Sequence, residues 1–155
     1  KGLTWFAPDE DQMLITRSEL TDRIVTILGG RAAEQVIFGD PEITTGASND
    51  LQQATNIARQ MVTRYGMSIL GPISLEPSNN EQFFFSGENN EILNNKVDKE
   101  VRKIINYCEQ VAKEIVLQNR VVIDLAVEKL LDSETIEGND FRQIVSEYTA
   151  IPNKK

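Results

Sequence analysis

Residues 44–66, TTGASNDLQQATNIARQMVTRYG, contain the pattern that decides the fold. Their apolar residues recur every three or four positions, the spacing of one face of an α-helix: Leu51, Ala54, Ile57, Ala58, Met61, Val62 and Tyr65. Asp50 lies on the same face, four residues before Ala54 and seven before Ile57. We therefore expect its carboxylate to point toward the protein interior, where a charge without a partner is costly.

The neighbouring segments predict further helices. Ser48 or Asn49 is expected to cap the helix that carries Asp50, and Gly66 to end it. Before it, Thr16 and Glu19 have the spacing of a capping box, followed by an apolar stripe that extends to Gly39. After an irregular region over 69–90, the spacing predicts a long helix over 97–119, a second over 122–130 and, after the turn EGND, a last one over 141–148. The C-terminal third is thus expected to form a helical hairpin and a short terminal helix.

Two stretches predict β-structure. A run of strand-forming residues closed by Pro8 predicts a short strand at a sheet edge, and it consists of Gly2, Leu3, Thr4, Trp5 and Phe6. The aromatic run over 83–85 favours a buried strand of a small hairpin over an exposed binding patch. The predicted fold class is therefore mainly α, with a short edge strand or small hairpin and a C-terminal helical hairpin.

Composition excludes several functions. The 155 residues suffice for one domain, and their net charge of -8 opposes binding to nucleic acid or to anionic membrane surfaces. No apolar run approaches the roughly 20 residues that span a bilayer, so this chain by itself is expected to be soluble. Cys108 is the only cysteine, which excludes an intrachain disulfide, and it is predicted to be a small core residue on a helix.

The chain contains no histidine. Imidazole is the usual base of nucleophilic triads and the commonest metal ligand, so these residues alone make neither a Ser-His-Asp triad nor a histidine-based metal site. Phosphate-binding glycine motifs are also absent from the sequence. No residue of this chain is therefore predicted to be a catalytic group by itself.

Asp50 is open to two interpretations. A carboxylate in the first turn of a helix is stabilised by the helix dipole, typically by about 0.3–1 kcal/mol, so Asp50 could serve the helix alone. A metal ion that is also bound by other ligands would compensate the charge of Asp50 as well. Glu34, seven residues after Ile27 and also on the inward side of its helix, raises the same question, although Arg31 or Arg59 could pair with it.

Several runs resemble a known family. The runs GGRAAEQVIFG (29–39), TTGASNDLQQATNIARQMVTRYGMS (44–68) and LGPISLE (70–76) are similar to the peptidase domain of the FtsH family of membrane-anchored, ATP-dependent zinc metalloproteases. GLTWFAPDEDQ (2–12) and QNRVVID (118–124) resemble its cyanobacterial and plastid branch. The resemblance implies that residues 1–152 are the C-terminal part of a zinc metallopeptidase domain, followed by a tail over 153–155.

The resemblance implies roles for individual residues. The aspartate of TTGASND is the third protein ligand of the catalytic zinc in this family, which implies that role for Asp50. The glutamate of GGRAAE is a supporting acid near the metal, which implies Glu34. The strand GLTWF, residues 2–6, would pair with an extended polypeptide substrate through main-chain hydrogen bonds.

The family pattern also places several parts upstream of Lys1: an H-E-x-x-H helix with two zinc ligands and the general base, an ATPase module that binds ATP and magnesium, and the membrane anchors. The resemblance therefore implies that this chain alone is inactive and binds zinc weakly. The full-length protein is expected to be a homo- or hetero-hexamer that degrades unfolded membrane and soluble proteins. Its peptidase domain would lie on the stromal or cytoplasmic side of a plastid thylakoid or cyanobacterial membrane.

The alternative is a catalytically inert helical interaction module derived from that family. The mass of the natural chain separates the two, because a precursor of several hundred residues with H-E-x-x-H favours the protease, and a natural start near Lys1 favours the module.

Overall fold

The computed structural model describes residues 14–75 and 88–149. Within these ranges the chain forms five α-helices, which are α1 (Arg17–Phe38), α2 (Ser48–Thr63), α3 (Glu88–Gln118), α4 (Arg120–Ser133) and α5 (Gly138–Tyr148). Two 3₁₀ turns, Asp40–Glu42 and Thr45–Ala47, connect α1 to α2. The mainly α fold class is confirmed. The predicted edge strand over 2–6 and the aromatic run over 83–85 lie outside the described residues.

The start of α1 matches its sequence signal. Glu19 N–H donates to Thr16 Oγ1 at 3.2 Å, and Thr16 N–H donates to Glu19 Oε2 at 2.7 Å, which completes the predicted capping box. The helix ends at Gly39, whose φ of 91° lies in a region that glycine adopts without strain. Because both ends match the sequence, the position of Glu34 near the end of α1 is well defined.

Helices α1, α2 and α3 pack pairwise around one core. Their inward faces follow the predicted helical spacing, and the buried residues are Leu20, Ile24, Ile27, Leu28 and Ala32 of α1, Ala54, Ala58, Met61 and Val62 of α2, and Val97, Val101, Cys108, Ala112 and Val116 of α3. At the surface, Arg59 donates to Asp98 at 2.7 Å and links α2 to α3. The long helix begins before residue 97, at Glu88, so its first residues belong to the region predicted to be irregular.

The C-terminal helices differ in detail from the prediction. The sequence suggested that the long helix pairs with the next one, whereas α4 packs mainly on α5, and Lys129 of α4 donates to Asp140 of α5 at 2.9 Å. The turn also lies earlier than EGND, because Glu134 adopts φ 57° after α4 and α5 already begins at Gly138. Val122 is the one buried residue of this pair within the described chain. The pair therefore extends from the three-helix core and contributes little to it.

Gly66 does not end α2, which stops at Thr63. It lies in the following turn with φ 61°, and a Cβ there would be 2.7 Å from Pro72 Cα. Only glycine permits this backbone approach, so the glycine marks a close contact between two loop segments.

Cys108 provides a test of the core. Its side chain is fully buried, with Sγ 3.9 Å from the Thr21 carbonyl oxygen, and burial, helped by the negative charge of Asp22, raises the pKa of the thiol from 9.0 to about 11. The folded thiol thus forms on the order of a hundredfold less thiolate near neutral pH than an unfolded one. We expect an aromatic disulfide reagent at pH 8 to react at least ~100-fold more slowly with the folded chain than with the chain in guanidinium chloride. Equal rates would contradict the buried position.

Candidate metal ligand at the start of α2

Asp50 is the third residue of α2 and is half-buried. It lies on the side of the helix that carries the fully buried Ala54 and Ala58, as the spacing predicted. Among the residues that the structure describes, none donates a hydrogen bond to its carboxylate or forms an ion pair with it. The carboxylate therefore keeps its oxygen lone pairs available at the edge of the core.

The predicted cap of α2 is wrong. Ser48 and Asn49 lie within the first turn, and the N-cap position is Ala47, which has no side-chain acceptor. The reason is that the chain enters α2 directly from the 3₁₀ turn Thr45–Ala47, so the capping side chain belongs to the start of that turn. Thr44 occupies this position, and its Oγ1 accepts a hydrogen bond from Gly46 N–H at 3.1 Å.

Glu34 of α1 holds the same threonine with both carboxylate oxygens. Thr44 N–H donates to Glu34 Oε2 at 3.0 Å, and Thr44 Oγ1 donates to Glu34 Oε1 at 3.0 Å. These two hydrogen bonds lower the pKa of Glu34 below its usual value, and the backbone one has the larger effect. Partial burial of the carboxylate raises the pKa, and the positive charge of Arg31 lowers it. Arg59, the other predicted partner, pairs with Asp98 instead. Glu34 is thus an ionised anchor for the turn that precedes Asp50.

Asp50 can supply one ligand to a metal ion. An ionised carboxylate is an oxygen ligand that zinc accepts, and a half-buried one without a protein partner is suited to neutralisation by a cation. Over residues 14–75 and 88–149, no three His, Cys, Asp or Glu side chains lie close enough together to hold a metal ion. Asp50 therefore fits zinc as a single contribution to a site completed by other residues.

Sequence reasoning missed Thr44. Its spacing of two residues from Gly46 is a signal for a threonine turn that the sequence does contain. The bond to Glu34 spans ten residues and depends on how the chain reverses after α1, for which the local pattern gives no signal.

The chain belongs to a recognised class of peptidase. The model of peptidase family M41 matches residues 1–144, and the chain belongs to that family. The earlier resemblance is thereby confirmed. The chain is 62% identical over 160 residues to the ATP-dependent zinc metalloprotease FtsH of Trieres chinensis, covering 99% of this chain and 25% of that protein.

Two further relatives agree. The chain is 50% identical over 158 residues to the ATP-dependent zinc metalloprotease FTSH 6, chloroplastic, of Arabidopsis thaliana, covering 98% of this chain and 23% of that protein. It is 47% identical over 152 residues to the ATP-dependent zinc metalloprotease FtsH of Cyanidium caldarium, covering 95% of this chain and 25% of that protein. The chain spans about a quarter of the length of these curated relatives.

Proposed function

We propose that this chain is part of an ATP-dependent zinc metalloendopeptidase and that Asp50 is one of its zinc ligands. The observation that carries the proposal is the Asp50 carboxylate, half-buried at the start of α2 and without a partner among the described residues. Membership of peptidase family M41 and the zinc metalloprotease names of the relatives support it.

The roles of this chain's residues follow from their contacts. Asp50 would bind the metal together with ligands outside these 155 residues, which the family resemblance assigns to an H-E-x-x-H helix. When bound there, zinc would supply Lewis-acid chemistry to peptide hydrolysis. Glu34 would support the site at one remove, because its two oxygens already accept hydrogen bonds from Thr44. Helices α1 and α2 would thus hold Asp50 in a fixed place.

The wider assignment is also part of the proposal. Residues 1–152 would belong to the metallopeptidase domain, with 153–155 as a tail, and residues 2–6, predicted from the sequence to be a strand, would bind unfolded polypeptide substrate. An ATPase module with ATP and magnesium, membrane anchors and hexameric assembly would belong to the longer protein. Chloroplastic relatives support a plastid location. Of the described helices, none has an apolar stretch of the length needed to cross a bilayer.

Zinc titration tests the ligand assignment. In the longer protein we expect a stoichiometric zinc site, and Asp50→Ala should lower its zinc affinity at least ~100-fold. A direct ligand should matter more than an outer-shell residue, whose loss lowers metal affinity about 10–100-fold. The 155-residue chain alone should show no site tighter than about micromolar, since carboxylates without nitrogen or sulfur ligands bind this ion poorly. A nanomolar site in the short chain would contradict the need for ligands outside it. A zinc site in the longer protein that Asp50→Ala leaves unchanged would contradict the assignment of Asp50.

A further inference from the structure

We infer that Thr44 is a positioning residue for Asp50: its hydroxyl links the Glu34 carboxylate on α1 to the turn that starts α2. This inference rests on the proposed function, because it assigns Thr44 to the support of the same metal ligand. Thr44 itself would touch neither metal nor substrate.

The three hydrogen bonds of Thr44 form a directed chain. Its hydroxyl donates its single proton to Glu34 Oε1 at 3.0 Å and accepts from Gly46 N–H at 3.1 Å, while its own N–H donates to Glu34 Oε2 at 3.0 Å. The negative charge of Glu34 strengthens the two bonds that it accepts. One side chain therefore serves as donor toward α1 and as acceptor toward the entry of α2.

The start of α2 depends on these hydrogen bonds because the helix has no side-chain cap of its own. Ala47 supplies no side-chain acceptor, and the 3₁₀ turn Thr45–Ala47 continues directly into the helix. Asp50 follows three residues after that turn. A shift of the turn relative to α1 would therefore be passed to the Asp50 carboxylate through a rigid helical segment.

The space around Gly46 gives a second, steric observation. A Cβ at this position would lie 3.1 Å from Thr44 Oγ1 and 3.8 Å from Glu34 Oε1. The hydroxyl would have to move by a few tenths of an ångström to make room, and its hydrogen bonds would lengthen. The turn is thus packed around the hydrogen-bonded hydroxyl as well as bonded to it.

Such positioning matters for a metal ligand. A carboxylate oxygen binds zinc at about 2.0–2.2 Å, so small displacements weaken the bond. Outer-shell partners that orient metal ligands typically account for about 10–100-fold in metal affinity or activity. Thr44 and Glu34 would act on Asp50 through the backbone of the turn that leads into α2, because their hydrogen bonds are to each other and to Gly46.

The test uses Thr44→Val in the longer protein, because valine keeps the shape of threonine and removes the hydroxyl. We expect zinc affinity, measured by competition with a chelator, to fall about 10–100-fold, and hydrogen exchange of the Gly46 amide to accelerate. Thr44→Ser, which restores the hydroxyl, should return zinc affinity to within about threefold of wild type. Thr55→Val in α2, whose hydroxyl donates to the Leu51 carbonyl at 2.7 Å, is the matched control and should leave zinc affinity unchanged.

The outcomes are distinguishable. Wild-type zinc affinity in Thr44→Val, together with loss of zinc in Asp50→Ala, would overturn the inference and leave the proposed function intact. Retention of zinc in Asp50→Ala would overturn both. An equal loss in Thr55→Val would also overturn it, since the effect would then be a general weakening of α2. Should Thr44→Val fail to fold, Gly46→Ala replaces it and carries the same expectation, because it displaces the hydroxyl without removing it.

Discussion

Replacing Asp50 with asparagine in the longer protein is expected to lower peptide hydrolysis at least ~100-fold in kcat/KM while ATP hydrolysis continues. Asparagine keeps the shape of the side chain but replaces an anionic ligand by a neutral amide, which binds zinc weakly. The change should cost less than about 1 kcal/mol of folding free energy, because the helix-dipole contribution of a first-turn carboxylate is of that size. Loss of proteolysis with intact folding would thus separate the ligand role from a purely structural one.

The chain offers a matched control for this experiment. Asp140 is the third residue of α5, the same helix position that Asp50 occupies in α2, and it forms only an exposed ion pair with Lys129. We expect Asp140→Asn to keep full peptidase activity and nearly full stability, because exposed ion pairs contribute about 0–1 kcal/mol. Near wild-type proteolysis in Asp50→Asn, or an equal loss in Asp140→Asn, would exclude Asp50 as the ligand.

The helices were predictable because their signals are local. The capping box of Thr16 and Glu19 and the apolar stripe from Leu20 onward determine where α1 begins and which face it buries. The same spacing placed Asp50 beside Ala54 at the edge of the core. These features depend on residues three or four positions apart, a distance at which helix geometry is fixed.

The support of Asp50 was not predictable in the same way. An arginine was one possible partner for Glu34, yet its oxygens accept from the backbone and hydroxyl of Thr44. This arrangement depends on the path of the chain through Asp40–Glu42, which returns Thr44 to the side of α1. The pairing of α4 with α5 was missed for a related reason, since periodicity identifies apolar faces without identifying the helix that each face meets.

Helix α1 therefore has two functions on two parts of its length. Its first half contributes Leu20, Ile24 and Ile27 to the core, and its second half also presents Glu34 to the turn before α2. Because α1 packs against both α2 and α3, its position determines where the Glu34 carboxylate meets Thr44. Loss of packing in the first half of α1 should therefore reduce the free energy of unfolding of the chain more than it disturbs the turn before α2.

Substituting Ile24 by alanine is accordingly expected to destabilise the chain by about 2–5 kcal/mol, the cost of removing a large aliphatic side chain from a core. Ile24 has no exposed surface and belongs to the core formed by α1, α2 and α3, so the neighbouring helices cannot close the cavity without moving relative to each other.

The matched control is Ile115→Ala in α3, because 48% of the Ile115 side chain is already exposed. Urea denaturation followed by circular dichroism should show a much lower midpoint for Ile24→Ala. For Ile115→Ala the free energy of unfolding should change by less than about 1 kcal/mol, since substitutions away from the core have small effects. Since natural domains are stable by only about 5–15 kcal/mol, the first change should remove a large share of the total. Equal midpoints for the two variants would show that the core of α1, α2 and α3 is not the principal source of stability.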